Sequence, residues 1–351
     1  MQGEKLGTDS NHETGAIGGM PLLDLEGNVA DCGYELGRIW REALRNQCGQ
    51  VVNLPESPWW QRAPVKQLVS RFAPHLPVLF EAMAKGAEMP VEQLVPLGPA
   101  SDGCTTFAIA AEQTAGGIPL SGQTKDTPLD RKARFLVLRL RFNDAPALLT
   151  LTYPGWLFGH GFAEGGCALW RNSLNTTVRP SGLPLPVWGL VATHCPRVED
   201  VAALTRDHGI DTSCHTTVAD MQGGIVGIEC TDGGVDVLRP ENGIYVHANA
   251  VRGSEALRAT EVDLDTFSRA DSVFREHRFR ELVEHQHRKV TPHGLMEVLS
   301  DHQNHPCGIC RHQSELAETT AAVVAEPTRG ILHIVRGNPC SNRPISIRLE
   351  S

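Results

Sequence analysis

The chain changes texture at Gly103, and that change limits what it can fold into. Before it, DCGYELGRIWREALRNQ (31–47) and VKQLVSRFAPHLPVLFEAMAKGAEM (65–89) carry apolar residues at helical spacing, among them Val65, Leu68, Val69 and Phe72. Pro74 and Pro77 interrupt the second stretch, since proline lacks the N–H a helix interior needs. After Gly103 the period shortens. FLVLRLRF (135–142) alternates, and ALLTLTY (147–153) follows across Asn143-Asp144 and Pro146, which is a hairpin signal. Further strand candidates are 223–230, 234–238, 320–325, 330–336 and 345–349, interrupted by helical stretches at 198–209 and near 269–289. Helices first, then strand pairs with helices between them, predict an α+β protein with helices covering sheets. The polar, Gly-rich start reads as a flexible tail over 1–20, and the remainder, 21–351, as one domain.

Composition removes several functions. A formal charge of −9 argues against a partner made of phosphate backbone, which needs clustered Lys and Arg, so no nucleic acid is expected. No apolar run is long enough to span a membrane, and the first residues lack the basic-then-apolar order of a secretory signal, so the expected location is the cytoplasm. The segment FREHRFRELVEHQHRK (274–289) mixes its His and Arg with Glu276, Glu281 and Glu284, and reads as a solvated amphipathic helix.

Ten cysteines lie too far apart for a disulfide scaffold, and most are expected to be reduced, small, buried side chains. Two places stand out. In HPCGICRH (305–312) Cys307 and Cys310 form a Cys-x-x-Cys pair, the mark of a zinc- or thiol-dependent interaction protein. All four candidate ligands crowd into eight residues, however, too short a span to wrap a tetrahedral ion, and no metal is expected. The other place is SDGCTT (101–106). A cut between Gly103 and Cys104 would put an α-amine, pKa about 7.7–8.0, a few bonds from the Cys104 thiol, where it can serve as its base. The thiol can make the cut itself by attacking the Gly103 carbonyl, glycine tolerating the backbone this requires and Asp102 assisting the proton transfer. A papain-type Cys/His site fits less well, because it needs a cysteine opening a helix and the residues after Cys104 are strand-like.

DGCTT followed by GQTKD (122–126) resembles the acyl-coenzyme A:isopenicillin N acyltransferase family of N-terminal nucleophile hydrolases. CGYELG (32–37), KGAEMPVEQL (85–94), RPSGLP (179–184), IYVHANA (244–250) and HPCGICRHQ (305–313) are similar to its other motifs, in order. The resemblance implies a four-layer αββα fold, self-cleavage into 1–103 and 104–351, and a mature α/β heterodimer that needs no cofactor. It implies Cys104 as nucleophile, its α-amine as base, Asn249 as oxyanion donor, and an Asp126–Arg311 pair beside the new terminus. The implied reaction is cleavage or transfer of the acyl group of a small N-acyl amide through a thioester, with acyl-coenzyme A as an alternative donor. The chain's end, RLES, is not Ser-Lys-Leu, which inclines the reading to hydrolysis. Two stretches depart from the family: Lys125 stands where an aromatic residue is usual, and TYPGWLFGHGF (152–162) brings Trp156, Phe158 and His160. These four are the candidate substrate contacts, with a solvent-facing Lys125 as the plainer expectation.

Overall fold

The computed structural model of the protein describes residues 12–17, 19–48, 57–94, 96, 103–127, 135–262, 269–312 and 317–350. Its strands are β1 (His12–Ile17), β2 (Met20–Gly27), β3 (Gly103–Ile109), β4 (Leu120–Thr127), β5 (Leu136–Phe142), β6 (Leu148–Thr152), β7 (His160–Ala163) and β8 (Cys167–Ser173). They continue with β9 (Cys214–Asp220), β10 (Ile225–Thr231), β11 (Gly234–Leu238), β12 (Ile244–His247), β13 (Glu318–Glu326), β14 (Ile331–Arg336) and β15 (Ile345–Arg348). One sheet of nine runs β1-β2-β5-β6-β7-β8-β9-β10-β11, and one of six runs β12-β3-β4-β13-β14-β15.

The sheets lie face to face. Val137, Leu149, Phe162 and Trp170 of the first pack against Val323, Leu332 and Ile334 of the second. Each strand alternates its side chains, so each sheet also has an outer face to cover. Helices α1 (Val29–Cys48), α2 (Val65–Phe72), α3 (Leu76–Ala87), α4 (Leu185–Ala192) and α5 (Val198–His208) supply the apolar cluster over the nine-stranded sheet. The short α6 (Glu255–Arg258) precedes α7 (Arg269–Glu284) and α8 (Pro292–Leu299), whose Phe279 and Leu295 pack on Phe107 and Val324 of the six-stranded sheet. The layering is αββα. Among the described residues no helix is long and apolar enough to cross a membrane.

Three expectations change: the tail over 1–20, the order of helices before strands, and the solvated helix at 274–289. Residues 12–17 are not tail but a strand paired antiparallel with β2, and β2 is itself wedged between β1 and β5, parallel to the latter. Buried along most of its length, β2 has no clean alternation to betray it. Residues 1–11 lie outside the described residues. The third change is α7: the expected amphipathic helix buries charge as well as apolar surface, with Asp271, Ser272, Arg275, Glu276, Phe279 and Val283 all buried.

The expected break falls at Pro74, between α2 and α3, whereas Pro77 sits in the first turn of α3, where its missing N–H is tolerated; the hairpin over 135–153 is β5–β6. The CGYELG and KGAEM stretches meet each other where α1 crosses α3. A methyl on Gly37 would stand 2.0 Å from the Met83 carbonyl oxygen, and one on Gly86 would stand 1.9 Å from that of Tyr34. Only glycine lets the two backbones approach this closely. Gly37→Ala is therefore expected to destabilise the fold by about 1–3 kcal/mol, the usual range for overpacking, read as a lower urea midpoint at unchanged slope. Unchanged stability would show that the helices separate without penalty.

Candidate active site

Strand register brings the site together. Gly103 pairs with Asp126 and Cys104 with Lys125 across β3–β4, and Asp126 pairs in turn with Thr319 on β13. On the other side His247 pairs with Thr106, and just past the end of β12 Asn249 Oδ1 reaches the Cys104 amide. Residues separated by about two hundred positions thus form one row across the six-stranded sheet.

Alternation then sorts them onto two faces. Thr105 and Phe107 face α7, where Thr105 meets Arg275 and Phe107 stacks on Phe279. Cys104, Thr106 and Ala108 face the space between the sheets. There Thr106 Oγ1 lies 3.3 Å from Asn172 Oδ1, and Gln123 Nε2 lies 4.0 Å from Cys104 Sγ. Lys125 shares that face. It is buried rather than solvent-facing, with Nζ 3.2 Å from His160 Nε2. Burial, then the Lys125 and Arg171 cations, hold His160 well below the usual histidine range, so its neutral ring accepts from the ammonium.

On the helix side a charged cluster lies under the backbone of Cys104. Arg275, wholly buried, donates to the Cys104 carbonyl oxygen at 2.9 Å, to Thr105 Oγ1 at 2.8 Å and to Asn249 Oδ1 at 3.0 Å. It also pairs with Asp271 Oδ2 at 3.0 Å. Arg311 pairs with that same carboxylate and, through Nε, with Asp126 at 3.4 Å. Thr319 Oγ1 donates to Asp126 at 2.7 Å and accepts from the Arg311 amide at 2.9 Å. Burial pushes the Asp126 carboxyl upward, opposed by Arg311, Arg275 and the Thr319 hydroxyl. Two carboxylates and two guanidiniums balance, which is how ionic groups survive burial.

Asn249 sits where the sequence places it but points differently. The Cys104 amide donates to its Oδ1 at 3.3 Å, and its Nδ2 donates to the Ser173 carbonyl at 2.9 Å. Arg275 can only donate, so the carbonyl side of the amide must face it. In the single chain Asn249 therefore holds the Cys104 nitrogen, and its amide nitrogen is engaged away from an oxyanion.

The aromatic candidates divide. His160 reaches the inter-sheet space beside Lys125. Phe158 instead packs in the core between the helices and the nine-stranded sheet, so it does not face Cys104. Trp156 makes an edge contact with Tyr153, ring centres 4.7 Å apart. Asp102 lies outside the described residues. Of the Cys-x-x-Cys pair, Cys310 is buried and lies 3.8 Å from Cys340 Sγ, whereas Cys307 is half-buried and takes no part in that contact.

Sequence reasoning missed Arg275, Asp271 and Thr319, because one helix and one strand hide them in ordinary amphipathic patterns. It also missed a buried relay behind Thr106. His215 Nδ1 donates to Asn172 Oδ1 at 2.6 Å and its Nε2 accepts from Tyr245 at 2.9 Å, while His247, stacked on it at 3.6 Å, meets Glu229 at 2.6 Å. HANA in 247–250 marks the strand end from which that histidine and Asn249 both arise.

A family model described as acyl-coenzyme A:6-aminopenicillanic acid acyl-transferase matches residues 115–341, well over half of the chain. The chain belongs to that family. The matched acyltransferase-family stretch contains Asp126, Asn249, Asp271, Arg275 and Arg311, and begins after Cys104. The family's description is that of an acyltransferase enzyme, and the chain carries the αββα layering described above. Among solved structures it is similar to a variant of conjugated bile acid hydrolase from Clostridium perfringens, 15% identical with a TM-score of 0.47, covering 70% of this chain and 97% of that one. A second variant of that hydrolase is also 15% identical, with a TM-score of 0.46, covering 69% and 96% of the two chains. Penicillin V acylase from Agrobacterium tumefaciens is 12% identical with a TM-score of 0.40, covering 72% of this chain and 81% of that one. No curated protein matches the chain in sequence.

The charge balance under Cys104 is open to test. Arg275→Met leaves the cluster one positive charge short and is expected to cost about 3–5 kcal/mol of stability in urea unfolding. Adding Asp271→Asn restores the balance and should recover part of that loss. Equal stability of Arg275→Met and the unmodified protein would show that the guanidinium is not needed there.

Proposed function

We propose that this enzyme cuts its own chain between Gly103 and Cys104, and that the freed Cys104 is the nucleophile for a small N-acyl amide. One observation carries this reading. Cys104 is held through its amide by Asn249 and through its carbonyl by Arg275, both C-terminal to the cut, so removing Gly103 leaves the residue in place. Such fixed positioning is what a nucleophile requires.

In the cut, Cys104 Sγ attacks the Gly103 carbonyl carbon and the peptide C–N bond breaks. The thiol proton goes to the departing nitrogen, leaving a thioester that water hydrolyses to the Gly103 carboxylate. The new α-amine, still beside Asn249 Oδ1, then serves as base. The thiolate attacks the substrate carbonyl, the amine leaves with the proton, and a thioester remains on Cys104. Water completes hydrolysis, and an acceptor amine completes transfer. The buried, completely shielded thiol of the single chain supports a zymogen role for residues before Cys104.

A denaturing gel of the purified protein should show two bands, for 1–103 and 104–351, and Cys104→Ala should give one. A single full-length band from active unmodified protein sinks the proposal. Intact mass after mixing with an N-acyl amide should show the 104–351 fragment heavier by the acyl group. Acylation by an acyl-coenzyme A alone would instead favour the transferase reading.

Lys125 is the proposed electrostatic aid to this thiol. It stands directly across the β3–β4 ladder on the same face, and a nearby cation favours thiolate. Removing it raises the thiol pKa. In Lys125→Met the pH midpoint for alkylation of the mature N-terminal cysteine should therefore rise by about one unit. A midpoint that stays put or falls would remove Lys125 from this role.

A further inference from the structure

Outside the active site, four side chains converge at the surface where the segment before β13 meets the turn after β14. We propose that His302, Cys310, His312 and Cys340 bind one structural zinc ion. Their ligand atoms all lie within 4.8 Å of one another. A tetrahedral zinc with bonds of about 2.3 Å to sulfur and about 2.0–2.1 Å to nitrogen sets ligand separations of about 3.8 Å for S···S, about 3.6 Å for S···N and about 3.3 Å for N···N. The observed separations are 3.8 Å between the two sulfurs, 3.5 and 3.0 Å from the sulfurs to His312 Nε2, and 2.9 Å between the two histidine Nε2 atoms. Small shifts of exposed side chains suffice to receive the ion.

The donor set selects the metal. Two thiolates and two imidazoles suit zinc and exclude the oxygen-loving magnesium and calcium. Four protein ligands leave no open position, so the role is structural rather than catalytic. Asn338 supports the site from behind, its Nδ2 3.9 Å from Cys310 Sγ and 2.6 Å from the Arg311 carbonyl oxygen. His302 and Cys340 are exposed, which gives the ion a way in, and the two thiols release their protons to solvent on binding. The span objection raised by the sequence falls away because the fourth ligand is Cys340, thirty residues downstream of Cys310, and Cys307 is not needed.

The ion's place has a consequence for the active site. Arg311 sits in the chain between two ligands, Cys310 and His312, and its guanidinium holds Asp126 and Asp271. Zinc would fix the backbone of this positioning residue without touching substrate.

Elemental analysis of the full-length protein, purified without chelator, should find about one zinc per chain. Cobalt exchanged for it should give the intense visible absorption of a tetrahedral ion and a thiolate charge-transfer band. Cys340→Ser and His302→Ala should each weaken zinc binding by more than the roughly 10–100-fold that losing a mere outer hydrogen bond costs. Cys307→Ser should keep it fully. Absence of both zinc and the cobalt spectrum in reduced, folded protein given a slight excess of metal overturns the proposal. So does stoichiometric zinc that survives Cys340→Ser and His302→Ala but is lost in Cys307→Ser. The cobalt spectrum is read on the unmodified chain, so a variant that misfolds leaves the test intact.

Discussion

Everything at the active site depends on Arg275 reaching the backbone of Cys104 from below. A single guanidinium ties the carbonyl of Cys104, the side chain of Asn249 and the carboxylate of Asp271, and so fixes β3, the end of β12 and α7 relative to one another. It can do so only because Asp126, Asp271 and Arg311 complete a neutral cluster around it. An isolated cation at that depth would carry a desolvation cost of several kcal/mol. The rest of the fold serves this arrangement: the outer helix layer roofs the cluster, and the sheet register brings its members into line.

The site is divided by the sheet itself. Backbone-holding charges lie on the helix side, while the thiol, Lys125, His160 and Gln123 lie between the sheets. Asp126 and Arg311 therefore act on Cys104 through its main chain and the β-ladder. The step from pairing charges to placing Cys104 is geometric, and each face can be altered with little direct contact to the other.

Much of this was legible in the chain. The helical stripe before Gly103, the β5–β6 hairpin and the break at Pro74 all follow from local periodicity, which acts over a few residues. Asp126, Asn249 and Arg311 were marked by ordered motifs and do meet near Cys104, although the direction of the Asn249 amide depends on Arg275, which no local pattern reveals. Strand β2 stayed hidden because burial on both faces erases alternation. A lysine is usually exposed, so the burial of Lys125 does not show locally; the facing sheet, whose β7 brings His160 to its Nζ, gives it a polar partner there. Cys340 was one unassigned cysteine among ten until the turn after β14 carried it to Cys310.

Strand β2 carries a consequence for the proposed cut. It belongs to the part before Gly103, yet it lies second in the nine-stranded sheet, hydrogen-bonded to β5 of the part after it. The Gly37–Gly86 helix contact belongs wholly to the first part, whose apolar face closes on the second. A chain severed at Gly103 would thus remain one body, but it would fold again from two. Assembly that is unimolecular in one chain would become bimolecular after the proposed cut, with a rate that depends on concentration. Under the proposed cut, the persistence of such a two-part body would then rest on how slowly its folded state comes apart.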